Sequence, residues 1–190
     1  RAGLVHRDIK PGNILIARGP GHGRPAHSDH VYLTDFGLTK RTSELTGGLT
    51  GTGNFLGTVN YVAPEQIQGK TVGPATDIYA LGCVLYECLT GRQPFHRDDD
   101  AALLWAHLVE TPPPVTGLRP EVPRAVDAVV ARTMSKDPAD RYQSCEELMH
   151  DLERALGMPA PVPSPDQSRE EDTVLDGPVT PAAGGDDESR

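Results

Sequence analysis

Apolar positions fall into separate blocks along the chain, each with its own period. Asn13–Ile16 and Val31–Thr34 are short β-prone runs, and the Gly-, Pro- and His-rich stretch Arg18–His30 between them predicts a hairpin with a long loop. Residues 35–65 are polar, rich in Gly and Thr and weakly periodic, a pattern shared by ordered functional loops and mobile ones. Asp77 then leads a run from Ile78 to Thr90 that is apolar on nearly every side, with Gly91 placed to end it. A helix of that kind belongs in the centre of a core. Ala101–Val109 reads as an amphipathic helix stopped by Pro112–Pro114, and Arg124–Met134 carries Val126, Val129, Val130 and Thr133 at helical spacing. The last helix opens at Ser144 with Glu147 three residues on, a capping box, and ends at Leu156 before Gly157. Beyond it, Pro159, Pro161, Pro163 and Pro165 forbid helix, and the acidic remainder has too little apolar area to fold. The pattern predicts a mostly α fold with one small β-hairpin over 1–156, and a disordered Pro-rich acidic tail over 157–190.

Charge sharpens the division. The chain of 190 residues carries a net charge of −9, and its last 34 positions hold eight acidic and two basic residues, so that they contribute −6 of it. Nucleic acid and anionic membrane surfaces, which need clustered Lys and Arg, are therefore not expected partners. Cys83, Cys88 and Cys145 are odd in number and form no CxxC pair, which reads as apolar residues in a reducing compartment. No basic-then-apolar leader opens the chain, and the longest apolar run, Ile78–Tyr86, is about half what a bilayer span needs. The expected setting is cytoplasmic, with a membrane anchor beyond Arg190 left open. The chain starts at Arg1, inside what reads as an element, and is taken as a fragment.

Three polar clusters carry candidate chemistry. His6-Arg7-Asp8-Ile9-Lys10-Pro11-Gly12-Asn13 places an acid, a lysine and an amide within six residues, just before a strand. Thr34-Asp35-Phe36-Gly37 lies at the far end of the same hairpin, which should return Asp35 to Asn13. An Asp beside an Asn offers the hard oxygen ligands that suit Mg²⁺. Ala63-Pro64-Glu65 is the third, with Arg141 as a possible distant partner for the glutamate.

These clusters resemble, in order and spacing, the catalytic loop H-R-D-x-x-x-x-N (His6–Asn13), the DFG motif (Asp35–Gly37) and the APE motif (Ala63–Glu65) of protein kinases. The resemblance runs from Arg1 to about Leu156. It implies a kinase-like large, C-terminal lobe in which Asp8 takes the substrate hydroxyl proton, Lys10 offsets charge on the transferring group, and Asn13 and Asp35 hold Mg²⁺ with ATP. Glu65, Asp77 and Arg141 would be structural. Arg7 would pair with a phosphorylated activation-segment residue, for which Thr42, Ser43, Thr46, Thr50 and Thr52 are the unranked candidates. Lys10, two residues after Asp8, and Gly57-Thr58, in a substrate-facing segment, are similar to serine/threonine kinases, and the wording of Gly57–Gln66 and Asp77–Gly82 to the bacterial ones. The family's Gly-rich loop and V-A-I-K lysine are not among the 190 residues, so the small lobe is expected to be absent and the fragment alone inactive. A non-catalytic scaffold binding partners through the helical lobe is the competing reading.

Other polar residues have plainer readings. His6 is expected to brace its loop, and His22, His27 and His30 to belong to a solvated one. Asp98-Asp99-Asp100 reads as a helix N-terminus. Trp105 is expected to pack under its helix, with substrate docking as the alternative. Thr173, set among acids, could be phosphorylated and read by a forkhead-associated domain, although a solubilising linker is the favoured reading.

Overall fold

The computed structural model describes residues 5–17, 30–35 and 59–158. Chain contacts divide the protein into Arg1–Ala160 and Pro161–Arg190, and the second unit, with the predicted tail from residue 159 on, lies outside the described residues. In the first, strands β1 (Ile14–Ala17) and β2 (His30–Leu33) pair antiparallel, with Ile14 opposite Leu33 and Ala17 opposite His30. Among the described residues five α-helices follow: α1 (Pro64–Ile67), α2 (Pro74–Thr90), α3 (Asp100–Val109), α4 (Ala125–Thr133) and α5 (Cys145–Ala155).

Helix α2 is the centre of the core, as its apolar run predicts. Tyr79, Cys83 and Tyr86 are buried along it, and it packs against α4 and the turn at Val59–Tyr61. Gly82 permits the approach to α4: a Cβ there would meet Thr133 Cγ2 at 2.8 Å and Met134 Cγ at 2.9 Å. The helix begins at Pro74, one turn before the expected lead residue Asp77. Proline fits the first helical position, where no N–H partner is needed, and Thr76 Oγ1 accepts from the Gly73 amide. Asp77 therefore has no capping duty, and its carboxylate is available elsewhere. Gly91 ends the helix at φ +72, the left-handed conformation that glycine adopts without steric cost.

The other termini follow their sequence signals. Asp99 caps α3 by accepting from Ala102 N at 2.9 Å, in keeping with the reading of the three aspartates. Ser144 caps α5, accepting from Glu147 N at 3.1 Å, but the Glu147 carboxylate takes the amide of Gln143 rather than that of Ser144, a capping box displaced by one residue. Trp105 corrects the expectation. Leu103, Ala106 and His107 form the buried face of α3, which leaves Trp105 and Val109 on the other side, 62% and 52% exposed. Small Ala106 lets the helix sit close; the indole, about 100° further round, does not reach the core.

His107 is fully buried, with Nδ1 3.0 Å from the Tyr79 hydroxyl and its ring edge-on to Phe95. Lys136 Nζ donates to the His107 carbonyl at 2.8 Å and lies 4.9 Å from the Phe95 ring centroid. Burial first, and the Lys136 charge second, push His107 down to about 4, while burial pushes Lys136 down to about 8. Unfolded, the imidazole titrates near 6.5. Between the two values the unfolded chain binds a proton that the folded chain refuses, so stability falls as pH falls through that window, by about 1.4 kcal/mol per unit. Thermal melts at about pH 7.5 and about pH 5 should show a larger loss for the parent than for His107→Asn; parallel losses would contradict the assignment.

Candidate active site

The chain reaches the site through a loop held mainly by its backbone. Asp77, in the first turn of α2, accepts from two successive amides, His6 N at 2.7 Å on Oδ2 and Arg7 N at 2.8 Å on Oδ1. Buried His6 braces the loop, as expected of it. Its Nε2 lies 2.9 Å from the Thr34 carbonyl, which can only accept, and its Nδ1 accepts from Asp8 N at 3.3 Å. The ring so ties the loop to the end of β2. Arg7, exposed at the surface, has φ +68, a left-handed conformation that costs a residue with a Cβ about 1–2 kcal/mol and persists only where its surroundings impose it.

Asp8 is 8% exposed. Its Oδ2 is 2.9 Å from Lys10 Nζ and 3.3 Å from Asn13 Nδ2, and the same Nδ2 donates to the Asp8 carbonyl at 2.8 Å. Pro11 starts the single 3₁₀ turn Pro11–Asn13 that brings Asn13 back over Asp8. β1 leaves directly from that turn, and β2 returns so that Thr34 donates to the Asn13 carbonyl from its amide at 2.9 Å and from its hydroxyl at 3.2 Å. Asp35 is the next residue, at φ +56. The hairpin thus brings Asp35 back to Asn13, as the sequence suggested. With Nδ2 committed to Asp8, the oxygen of the Asn13 amide is the end left to face a cation. That oxygen and the Asp35 carboxylate are hard donors, which fit Mg²⁺.

A second set of bonds anchors the segment that enters α1. Arg141 and Glu65 form a bidentate pair at 2.8 Å for both contacts, with side-chain exposures of 0% and 4%. Thr76 Oγ1 adds a bond to Glu65 Oε1 at 2.8 Å. Burial pushes the Glu65 carboxyl up, but the hydrogen bonds from Arg141 and Thr76 outweigh it and hold the group below its usual range. The anticipated pairing is therefore present and fully desolvated.

Thr76 and Gln66 did not stand out in the sequence. Gln66 accepts from Ala63 N at 3.0 Å and donates to the Arg7 carbonyl at 3.1 Å. A glutamine three residues after a helix cap is a legible signal for the first bond; nothing in the sequence announces the second, across 59 positions. Thr42, Ser43, Thr46, Thr50, Thr52, Gly57, Thr58, Thr173, His22 and His27 lie outside the described residues. His30 is in β2, exposed and tilted against Tyr32.

Residues 1–152 match the family model described as protein kinase domain. The chain is similar to serine/threonine-protein kinase PknD of Mycobacterium tuberculosis, 46% identical over 147 residues, which are 77% of this chain and 20% of PknD. It is also similar to serine/threonine-protein kinase PknH of Mycobacterium bovis, 43% identical over 157 residues, 83% of this chain and 24% of PknH. The chain thus spans about a fifth to a quarter of the length of these relatives. The family model covers 1–152 of the 190 residues, and the chain belongs to the protein kinase domain family.

Proposed function

We propose that this chain is the large, helical lobe of a serine/threonine protein kinase, which transfers the γ-phosphoryl group of ATP to a hydroxyl of a protein substrate. The observation that carries the reading is the convergence on Asp8: Lys10 Nζ at 2.9 Å, Asn13 Nδ2 at 3.3 Å, and Asp35 returned to Asn13 by the hairpin. The substrate oxygen attacks the γ-phosphorus, the bond to the β–γ bridging oxygen breaks, ADP leaves, and the hydroxyl proton passes to Asp8. Lys10, within contact of that carboxylate, is placed to offset charge on the transferring group. Asn13 and Asp35 would hold Mg²⁺, which when bound neutralises phosphate charge. The protein's share is placement and charge, in keeping with a loop fixed by so many hydrogen bonds.

The test is phosphoryl transfer from γ-labelled Mg-ATP to a mixed peptide library, in a polypeptide where a Gly-rich, lysine-bearing lobe precedes Arg1. Label on serine and threonine, with none on tyrosine, is expected. A folded protein that transfers no label would sink the catalytic reading in favour of a binding scaffold.

A further inference from the structure

The peptide unit between Arg7 and Asp8 sets the direction in which the Asp8 side chain leaves the loop, and it is gripped at both ends. Its N–H, that of Asp8, donates to His6 Nδ1, and its carbonyl, that of Arg7, accepts from Gln66 Nε2 at 3.1 Å. The amide of Gln66 has one consistent orientation. Ala63 N can only donate, so it faces Oε1, and the Arg7 carbonyl can only accept, so it faces Nε2. Gln66 is itself fixed, because it follows Glu65, whose carboxylate is locked to Arg141 and Thr76. Arg7 stands in the strained left-handed region, with Asp77 on its N–H and Gln66 on its C=O. The Asp77 bond lies on the preceding peptide unit and cannot stop rotation of the one that leads into Asp8. His6 and Gln66 do that.

We propose that Gln66 is a positioning residue for Asp8. By holding the Arg7 carbonyl, it makes the orientation of the base depend on the anchored end of the segment that enters α1. This rests on the reading of Asp8 as the base. Its consequence is that any displacement of Ala63–Gln66 misdirects Asp8 even when Asp8, Lys10 and Asn13 are chemically intact.

The experiment has two parts. In the 190-residue chain, amide exchange at Asp8 and Ile9 is compared between the parent, Gln66→Ala and Gln66→Glu. Loss of the grip should speed exchange at Asp8 about tenfold in Gln66→Ala, with the α2 amides unchanged as the check on folding. In a polypeptide carrying an ATP-gripping lobe ahead of Arg1, Gln66→Ala should lower kcat about tenfold while KM for ATP and peptide stays within about twofold. Gln66→Glu supplies a readout that a merely structural role would not move. Ionised, it turns a carboxylate oxygen towards the Arg7 carbonyl; protonated, it can donate as the amide does. Its kcat relative to the parent should therefore rise as pH falls through the carboxylate range, from about 6 to about 4. Unchanged exchange at Asp8 with unchanged kcat, or a Gln66→Glu ratio independent of pH, overturns the proposal. If instead Asp8→Asn retains transfer while the exchange effect is present, the assignment of the base fails and the positioning of the loop stands.

Discussion

Asp8→Asn will cut kcat by about 10²–10⁴-fold, the range that a positioned proton acceptor contributes, equivalent to roughly 3–5 kcal/mol of barrier. The side chain keeps its shape, and the main-chain bonds that hold the loop do not involve the carboxylate: Asp77 takes the His6 and Arg7 amides, and Asn13 donates to the Asp8 carbonyl. Binding of ATP should therefore change little, and the loss should fall on kcat, with KM for ATP within a few-fold of the parent. Steady-state kinetics with both substrates varied, in a polypeptide carrying an ATP-gripping lobe, measure it. More than a tenth of the parental kcat in the folded variant would remove Asp8 from the role. The substitution also takes from Lys10 its carboxylate partner at 2.9 Å, so part of the loss is the displacement of that ammonium. Lys10→Met separates the two, because it leaves the base and removes the cation.

The second large effect is on stability. Arg141→Ala should cost about 3–5 kcal/mol, because it strands the desolvated Glu65 carboxylate. Arg141 does more than pair. Its Nε donates to the Ser135 carbonyl at 2.7 Å, one amino group to Glu65 and the Ala75 carbonyl, and the other to Glu65 and the Lys136 carbonyl. All five donors of the guanidinium are thus engaged, and three main-chain carbonyls, two in the loop after α4 and one in the first turn of α2, lose a donor with it. At this size the melting temperature should fall by roughly 10 °C or more. Arg141→Lys, with three donors on a flexible stem, should restore less than half of the loss. A melting temperature within about 2 °C of the parent for Arg141→Ala would mean that the pair does not hold the fold.

Much of this is legible in the sequence, for identifiable reasons. The run Ile78–Tyr86 has no polar face, so a central helix was its only stable placement, and Gly91 and Ser144 are terminus signals that act within a few residues. The functional loop could be read because its chemistry is dense in sequence, from His6 to Asn13. Asp77 leads the apolar run, but α2 begins at Pro74, which suits the first helical position and leaves the carboxylate to amides seventy residues away. Trp105 was misplaced by its size: periodicity counts apolar residues, and in α3 the small Ala106, not the indole, faces the core. Gln66 stayed hidden because its partner is a main-chain carbonyl, which has no letter in a sequence.

A loop held in this manner keeps its form and its chemistry in separate hands. Asp77, Gln66 and His6 grasp amides and carbonyls, the atoms that every residue at those positions shares. None of those main-chain bonds falls on the side chains of Arg7, Asp8 or Lys10. The loop is a tool-holder: its cutting edges can be exchanged one at a time by substitution, in nature or at the bench, without refitting the handle.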